Sequence, residues 1–595
     1  MRLMQSKSPN ATSLYVIKSL YENGKHSTKI VEKLGTVAEL TEKLNGADPI
    51  EWAKQYIEQL NQKEAQGIEP DVLVSYSPEK FIGEDERRLY NGGYLFLQSL
   101  YYGLGLHKIC ADISSKHSFA YDLNSILSRL VYGRLIFPHS KLATCTLAER
   151  FIEGPDFKLQ HIYRALAVLA QESDFIQASL FKNSCKLLGK RHTGVIYYDC
   201  TNYFFESEFE DGLRRYGVSK EHRPNPVVQM GLFMDSEGIP LAFSITPGNI
   251  NEQQTMRPLE EKLLKEFDLS KFVVCTDAGL SSTANRVLND VKERAFVTTQ
   301  SIKKLKGYLM DWALAKEDWK SPGDETIYNL DELDKILEGL DAEAAYKFRN
   351  KIFYKERGVK EDGLKQNFIV TYSLKYRDYQ RSVRARQIER AAKVIETNPG
   401  KMDKCNANDY RRFIKRERIA ADGTTQVKER LYINTEQIEK EAKFDGFYGV
   451  CTNLDDSPEV ILKIMRWRWE IEECFRIMKS EFKARPVFLR RDDRIEAHFL
   501  TCFITLLIYR LLEKKLDYKF TCTEIVDGLR QMDFLKLQGN GYIPAYKKTP
   551  FTDALHEAFG FRTDRQIVST KKMKEIFKQT TSDKTLLTFA KTAKS

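Results

Sequence analysis

Two apolar segments of this sequence each carry an aspartate, and they constrain the fold more than any other feature. The run VIYYDCTNYFF is rich in β-branched and aromatic residues, as strands are, and it contains Asp199. The run KFVVCTD suits a strand buried on both faces, and it ends at Asp277. Taken singly, each aspartate is better explained as a turn or cap residue. As a pair on consecutive core strands, they predict two carboxylates at one rim of a sheet, repelling each other unless a proton or cation bridges them.

The segments around these two runs predict an α/β protein with a mixed sheet. VVQMGLFMD and IPLAFSIT follow the first run with short connections, which is typical of an antiparallel meander. Helix and strand patterns then alternate, in the order TMRPLEEKLLKEF, KFVVCTD, STANRVLNDVKE and AFVTTQ. Three strands followed by helix, strand, helix and strand is the element order of the RNase H-like fold. We therefore predict an RNase H-like core.

A third acidic residue, Glu472, lies in the segment PEVILKIMRWRWEIEECFRIMKSEF, whose apolar periodicity predicts one long helix. On a helical wheel, Arg468, Glu472 and Lys479 fall within about 40° of one another, at the border of the apolar stripe. Glu472 is then either a carboxylate brought to the rim of the sheet between two cations, or half of an ordinary charge pair on a solvated face. The pattern alone favours neither interpretation.

These segments resemble one branch of the bacterial insertion-sequence transposases of the DDE cut-and-paste class. The Y-x2-R-x3-E-x6-K signature of that family corresponds here to Met465, Arg468, Glu472 and Lys479. Four blocks occur in the family's order over about 190–510, namely YYDCTNYFFE, NPVVQMGLFMDSEGIPLAFSITPGN, VVCTDAGLSS and GFYGVCTNL. The signature tyrosine is replaced by Met465, so no phenolic contact carries over.

The resemblance implies a catalytic and metal-binding triad of Asp199, Asp277 and Glu472, with Arg468 and Lys479 contacting phosphates at the transposon end. It implies an endonuclease and polynucleotidyl transferase that binds terminal inverted repeats as a homodimer or larger synaptic assembly on DNA. Three carboxylates suit Mg²⁺, with Mn²⁺ as a possible substitute. Two alternatives stay open. One is an RNase H-like nuclease that cuts without strand transfer, and the other is a non-catalytic DNA-binding protein derived from such an enzyme.

Basic and aromatic residues elsewhere are further candidates for DNA contacts. The loop after the first core strand carries Arg214, Arg215, Lys220, His222 and Arg223, and a later charged region carries Arg411, Arg412, Lys415 and Arg416. Each cluster either neutralises phosphates or is a solvated surface. Trp312 and Trp319 are candidates for stacking on a flipped base, although tryptophan more often lies in a core. We interpret His498 as a packed or capping histidine.

Composition shifts divide the 595 residues into six predicted segments. They are an N-terminal segment (1–84), an α-helical domain expected to bind DNA (85–190), the first part of the RNase H-like core (191–300), a β-rich insertion domain (301–445), the last part of the core with the Glu472 helix (446–492), and a C-terminal helical region (493–595). The long separation between Asp277 and Glu472 matches the branch of the family that carries such an insertion.

Composition indicates a folded protein and permits a polyanionic partner. Hydrophobic residues make up 42% and charged residues 30%, and the net charge of +10 is modest for this length. The ten cysteines show no C-x-x-C pair, which indicates thiols in a reducing compartment rather than a zinc site. No secretion signal is evident, and the longest apolar run, FLTCFITLLIY, is too short to span a bilayer. We expect a cytoplasmic protein with no membrane partner.

Overall fold

The computed structural model contains two compact units, Met1–Arg87 and Arg88–Ser595. The structure describes residues 1–9, 11–22, 25–44, 47–65, 78–79, 81–267, 269–291, 293–361, 363–397, 409–420, 427–537 and 540–582. The last thirteen residues of the predicted C-terminal region therefore lie outside the described part of the chain. The segment boundaries proposed from the sequence stay predictions.

The first unit is a three-stranded antiparallel sheet followed by two helices. Its elements are β1 (Arg2–Ser8), β2 (Ala11–Glu22), β3 (Lys25–Thr36), α1 (Val37–Lys43) and α2 (Pro49–Ala65). A capping box begins α1, because the Thr36 hydroxyl accepts from the Glu39 amide and the Glu39 carboxylate accepts from the Thr36 amide. Leu14, Leu40 and Ala53 form one of the two small cores of this unit.

The second unit begins with a short strand and a helical region. These elements are β4 (Leu89–Asn91), α3 (Tyr94–Gly103), α4 (Leu106–Lys116), α5 (Leu123–Ile136), α6 (Lys141–Leu147), α7 (Leu159–Gln171) and α8 (Ser173–Leu188). Asp122 begins α5 by accepting hydrogen bonds from the amides of Asn124 and Ser125, at 2.8 and 3.1 Å. The apolar face of α7 buries Ile162, Leu166 and Leu169 in the core.

A mixed sheet of ten strands occupies the centre of the second unit. Its first elements are β5 (Val195–Phe204), β6 (Val227–Asp235), β7 (Pro240–Pro247), α9 (Met256–Glu266), β8 (Phe272–Thr276), α10 (Thr283–Leu288) and β9 (Arg294–Gln300). Strands β5, β6 and β7 pair antiparallel, which confirms the predicted meander, whereas β5 pairs parallel to β8 and β8 parallel to β9. The predicted mixed α/β class is therefore confirmed.

Most strands of the charged region 301–445 continue this same sheet. The elements are α11 (Gly307–Leu314), β10 (Trp319–Ser321), β11 (Asp324–Tyr328), α12 (Leu333–Glu338), α13 (Ala342–Arg349), β12 (Phe353–Glu361), β13 (Leu364–Tyr372), α14 (Leu374–Thr397), β14 (Ile414–Ala420), β15 (Val427–Ile433) and α15 (Thr435–Ala442). Strands β10 to β13 belong to the ten-stranded sheet, and β14 and β15 form a separate hairpin. The strand content predicted for this region is present, and most of it adds to the central sheet.

The remaining elements complete the sheet and the helical layer. They are β16 (Phe447–Thr452), α16 (Pro458–Arg466), α17 (Trp469–Ser480), α18 (Asp492–Lys515), α19 (Cys522–Gln531), β17 (Asp533–Leu537), β18 (Gly541–Pro544), α20 (Pro550–Phe559), β19 (Val568–Ser569) and α21 (Thr570–Thr580). The strand order of the central sheet is β11-β10-β12-β13-β16-β9-β8-β5-β6-β7. A second sheet has the order β19-β18-β17-β4.

The prediction of one long helix over 458–482 is wrong, because the helix breaks between α16 and α17. Backbone hydrogen bonds from Trp467 to Ile464 and from Arg468 to Met465 span three residues instead of four. This tighter turn interrupts the α-helical ladder between the two helices. Glu472 therefore lies in the first turn of its own helix.

Helix α18 is the central helix of the core. Among the described residues it is the one helix long and apolar enough to cross a membrane, and 94% of its most apolar window is buried inside the protein. It packs against α7, α5 and α3. The apolar run predicted to be a buried helix is therefore buried by protein in this structure.

A buried ion pair gives a test of this fold. The Asp235 carboxylate at the end of β6 accepts from Arg191 and from the amides of Glu237 and Ile239, and both members of the pair are at most 1% exposed. We expect Asp235→Ala to lower the free energy of unfolding by about 3–5 kcal/mol, because it leaves the Arg191 charge buried and unpaired. Chemical denaturation measures this change.

The matched control is Glu261→Ala, which breaks the exposed ion pair between Arg257 and Glu261, 2.9 Å long with side chains 66% and 56% exposed. Its expected cost is below about 1 kcal/mol, because solvent screens both charges. Equal costs for the two variants would contradict the stabilising role of the buried pair.

Candidate active site

Asp199 lies on β5, and Asp277 directly follows β8, the neighbouring parallel strand. The register of β5 and β8 pairs Val195 with Val273 and Tyr197 with Cys275. Continued by two residues, the same register brings Asp199 of β5 level with Asp277, which directly follows β8. Partners across neighbouring strands point to the same face of a sheet. The two carboxylates predicted to meet at one rim are therefore brought together by strand pairing.

The Asp199 carboxylate is partly buried, and the loss of water around it disfavours its charged form. Burial raises its pKa to about 6, although Lys220 lowers the pKa, and the nearby charge of Asp277 raises it further. Its Oδ1 atom accepts a hydrogen bond of 2.7 Å from the Cys200 amide. On the other strand, Oδ1 of Asp277 accepts from the Leu280 amide at 3.1 Å, which fixes the turn after β8. The pair is thus a strained acidic site that a cation would relieve.

Arg468 connects the third carboxylate to these two. Its guanidinium makes an ion pair of 2.7 Å with Glu472, whose side chain is 55% exposed. Burial lowers the pKa of Arg468, but the charges of Glu472, Asp199 and Asp277 raise it, so that its net pKa lies above the ordinary value. One guanidinium therefore lies within electrostatic reach of all three predicted triad residues. Both interpretations of Glu472 therefore apply. It forms an i,i+4 ion pair with Arg468, and Arg468 also interacts electrostatically with the two aspartates.

Two contacts hold the end of α16 against the strands that carry the aspartates. The Tyr197 hydroxyl on β5 donates to the Ile464 carbonyl at 3.0 Å. The Cys275 thiol on β8 donates to the Met465 sulfur at 3.5 Å, and both groups are buried. Met465, the residue at the tyrosine position of the predicted signature, is thus a packing residue between α16 and the sheet. Together these contacts place Arg468, three residues further on, at the rim.

The donor chemistry of the three carboxylates fits a hard divalent cation, although they are not gathered at ligand separation in this conformation. Across the described residues, the group with ligand atoms within 4.8 Å of one another is Asp553, His556 and Asp564. The Glu472 carboxylate forms an ion pair with Arg468 and does not share a ligand cluster with the two aspartates. The Glu472 side chain is 55% exposed and lies in the first turn of α17.

Two lysines line the neighbouring part of β5. Lys220 donates to the Cys200 carbonyl at 2.6 Å and makes an ion pair of 3.0 Å with Glu252. Lys479 donates to the Thr201 hydroxyl at 2.6 Å, and burial together with the charge of Lys220 lowers its pKa to about 8. Both amines therefore lie just beyond the acidic pair, where a phosphate approaching that pair would meet them.

The other predicted DNA contacts in the loop between β5 and β6 differ in availability. Arg214 is buried, makes an ion pair with Asp211 at 2.6 Å and lies over the ring of Phe205. Those contacts occupy its guanidinium, and they disfavour the predicted phosphate contact. Arg215 is partly exposed and Arg223 is exposed, with Arg223 stacked over Phe204 at 4.4 Å. His222, also exposed, adopts a positive φ of 55° in this loop.

The predicted contacts of the charged region are mostly engaged within the protein. Ion pairs join Arg411 to Asp409, Arg412 to Glu441 and Lys415 to Glu436. Arg416 is exposed on β14. The DNA contact predicted for these residues stays a prediction, and the ion pairs favour the surface interpretation for the first three.

The tryptophan and histidine candidates lie mainly in the core. Trp319 is fully buried, and its indole donates to the Ala315 carbonyl at 3.0 Å, so it is not available for stacking on a base. Trp312 is partly buried against Phe368. His498 is buried and bonded to the Ala484 carbonyl at 3.0 Å, which confirms its interpretation as a packed histidine.

The structure adds two residues that the sequence pattern did not single out. Tyr448 on β16 lies in electrostatic range of Arg468 and is 36% exposed. Glu221 contacts both Lys479, at 3.7 Å, and Arg485. No local signal marked Glu221, because its partners Lys479 and Arg485 lie far away in the sequence.

Among the comparisons with known proteins, the match to a family model is the one that shows the family of this chain. A family model described as "Transposase DDE domain" matches residues 207–508, which is just over half of the chain and includes Asp277 and Glu472. Asp199 lies just before the matched range. A cryo-EM structure of a piggyBac transposase synaptic complex with hairpin DNA matches at a TM-score of 0.33 and 8% sequence identity, over 74% of this chain and 78% of that chain. No curated protein matches the chain.

The raised pKa of Asp199 predicts a pH-dependent cost to stability in buffer free of divalent cations. The folded protein holds this proton up to about pH 6, whereas the unfolded chain releases it near 3.8, so stability falls as pH rises through that window. We expect Asp199→Asn to be more stable than the unchanged protein above pH 6, by about 2–3 kcal/mol. Denaturation across pH 4–8 with a chelator measures the difference.

The exposed Asp456 provides the control, because Asp456→Asn removes a carboxylate of the same kind from the surface. This variant should follow the pH profile of the unchanged protein. A profile for Asp199→Asn that is also unchanged would contradict the electrostatic strain assigned to the acidic pair.

Proposed function

The chain belongs to the family of proteins with a transposase DDE domain, and on that premise we propose that it is a DNA transposase of the cut-and-paste class. The observation that carries the proposal is the placement of Asp199 opposite Asp277, with the Arg468–Glu472 pair beside them. We propose an RNase H-like core whose catalytic triad is Asp199, Asp277 and Glu472. The order of strands β5, β6, β7, β8 and β9 supports this assignment.

Each residue of the site has a role in cutting a phosphodiester. The three carboxylates would hold Mg²⁺, or Mn²⁺ in its place, because hard cations prefer such oxygen donors. Bound there, such cations would supply activation of the attacking oxygen and charge stabilisation of the leaving one. Arg468 keeps Glu472 at the rim until the site is loaded. The amine of Lys479 is placed to bind a phosphate next to the scissile one.

The same site can carry out strand transfer, because a DNA 3′-OH replaces water as the attacking group and the carboxylates keep their roles. We propose that the protein binds terminal inverted repeats as a homodimer or larger synaptic assembly, since two transposon ends must be cut together. The alternative with the same fold is a nuclease that cuts without joining. A non-catalytic DNA-binding protein is the third possibility, and the presence of all three carboxylates counts against it.

Neutralising one triad carboxylate is expected to remove catalysis and spare binding. Asp199→Asn, Asp277→Asn and Glu472→Gln should each lower nicking of DNA that carries the element's ends by roughly 10³-fold or more, because each removes a transition-state contact. Binding of the same DNA, measured by mobility shift, should change less than about threefold. Glu473→Gln is the matched control, since Glu473 lies next to Glu472 but is paired with Arg476 at 2.6 Å. Full nicking by Asp199→Asn would remove the triad assignment.

A pre-cleaved end distinguishes the transposase from the nuclease. We expect the protein to join a duplex with a free 3′-OH to target DNA, giving a branched product on a denaturing gel. Normal nicking with no joined product would favour the nuclease, and neither activity would favour the non-catalytic protein.

Divalent cations should stabilise the folded protein through the aspartate pair. A cation present at about 100 times its dissociation constant stabilises the folded state by about 2.7 kcal/mol. We expect Mg²⁺ and Mn²⁺ to raise the thermal midpoint of the unchanged protein and to have no such effect on Asp277→Asn. Equal shifts in both proteins would place the cation elsewhere.

A further inference from the structure

A pocket of about 240 Å³ lies apart from the acidic pair, between the helical region and the segment that follows α17. Its walls come from Arg134 of α5, residues 138–142 at the start of α6, Tyr163 of α7, residues 483 and 485–489, and His498 of α18. One wall is anchored to the core sheet, because Val487 pairs with Phe205, the residue directly after β5. This wall of the pocket therefore adjoins the end of β5.

The floor of the pocket holds two buried cations. Lys141 is 5% exposed, and across the described residues no hydrogen-bond partner reaches its Nζ atom. Arg134 is also 5% exposed; its Nη1 atom donates to the Phe482 carbonyl at 3.1 Å, and its Nε atom has no partner among the same residues. Burial and the charge of Arg134 lower the pKa of Lys141 to about 7. The two like charges repel each other, so the charged form of each is less favourable in the presence of the other.

A buried cation is ordinarily offset by a carboxylate, because leaving its charge unpaired in the protein interior costs several kcal/mol. Within the described part of the chain, neither Lys141 nor Arg134 takes part in an ion pair, and no acidic residue lines the pocket. His498, which also lines it, is kept neutral because burial and the charges of Arg134 and Lys141 lower its pKa. The pocket therefore has positive potential and donors but lacks an anion of its own.

The surroundings of the pocket link it to the acidic site. Arg485 at its edge pairs with Glu221, and Glu221 also pairs with Lys479, whose amine bonds Thr201 two residues after Asp199. Lys483, exposed at a φ of 46°, adds a further cation at the mouth. Ion pairs through Glu221 thus connect Lys479, which contacts β5, to Arg485 at the edge of the pocket.

We propose that this pocket is a phosphate-binding site in which Lys141 and Arg134 bind a phosphate of the DNA backbone outside the scissile position. Two buried cations that line the same small cavity, each with an unpartnered donor atom among the described residues, suit a tetrahedral oxyanion better than a planar base or an apolar group. The assignment of the phosphate to DNA rests on the proposed function. A free inorganic phosphate has the same chemistry, and the experiment below separates the two sources.

Lys141→Met tests the site, because methionine keeps the length and packing of the side chain and removes its charge. Removing an unpaired buried cation should leave the thermal midpoint unchanged or raise it, so a loss of binding is separable from a loss of folding. We expect inorganic phosphate, at constant ionic strength, to raise the midpoint of the unchanged full-length protein and not that of Lys141→Met. Lys141→Gln serves as a second variant.

DNA binding provides the other arm of the experiment. Loss of one phosphate contact should lower affinity for duplex DNA roughly five- to tenfold at 0.1 M salt and reduce the slope of log affinity against log salt by about 0.9. Lys186→Met, which removes an exposed lysine from α8, is the matched control and should retain the phosphate response. Lower affinity and a smaller slope in Lys141→Met alone would assign the site to DNA.

The remaining outcomes are equally decisive. A phosphate response that depends on Lys141, without any change in DNA binding, would mean that the site takes free phosphate and would overturn the assignment to DNA. Equal stabilisation of Lys141→Met and the unchanged protein by phosphate would overturn the site itself. A protein that binds no DNA but keeps the Lys141-dependent response would refute the proposed function and leave the phosphate site standing.

Discussion

The parallel pairing of β5 with β8 is the constraint on which the candidate site depends. It brings Asp199 level with Asp277, and no movement of a loop is needed to make them neighbours. Two carboxylates held in this way repel each other, and burial adds to the cost, as the raised pKa of Asp199 shows. The core of the fold therefore contains an electrostatic strain that a divalent cation would relieve. Such strain is typical of sites shaped by binding or catalysis rather than by stability.

The position of Glu472 depends on a second constraint, the break between α16 and α17. The Tyr197–Ile464 and Cys275–Met465 contacts tie the end of α16 to the two strands that carry the aspartates. The tight turn that follows then directs Arg468 toward all three carboxylates. One straight helix would also keep Arg468 and Glu472 on one face. Helix periodicity alone, however, does not determine whether that face lies next to Asp199 and Asp277. The arrangement arises from packing, with the ion pair as its consequence.

The sequence predicted those parts of the structure whose signals are local. Alternation and β-branched runs located the meander, and the apolar run of α18 located the buried helix, because side-chain period and composition follow directly from burial. It did not predict that β10 to β13 would extend the central sheet, since strand order depends on pairings between distant segments. It also missed the helix break, because no proline or glycine marks it. The contact of Met465 with Cys275 could likewise be known only from the fold, because the two residues are distant in the sequence.

The charge pattern of the sequence was the weakest guide to anion-binding residues, because burial and ion pairing of a basic side chain are determined only by the fold. Clusters of basic residues such as Arg411 and Arg412 stand out in the sequence, yet nearby carboxylates already offset them in the folded chain. Arg134 and Lys141 are single basic residues near apolar segments, and no sequence pattern distinguishes them from other isolated basic residues. Their significance comes from burial without an acidic partner, a property that exists only after folding. Because an unpaired buried charge is far more costly than an exposed one, these two cations point to an external anion more strongly than any basic run.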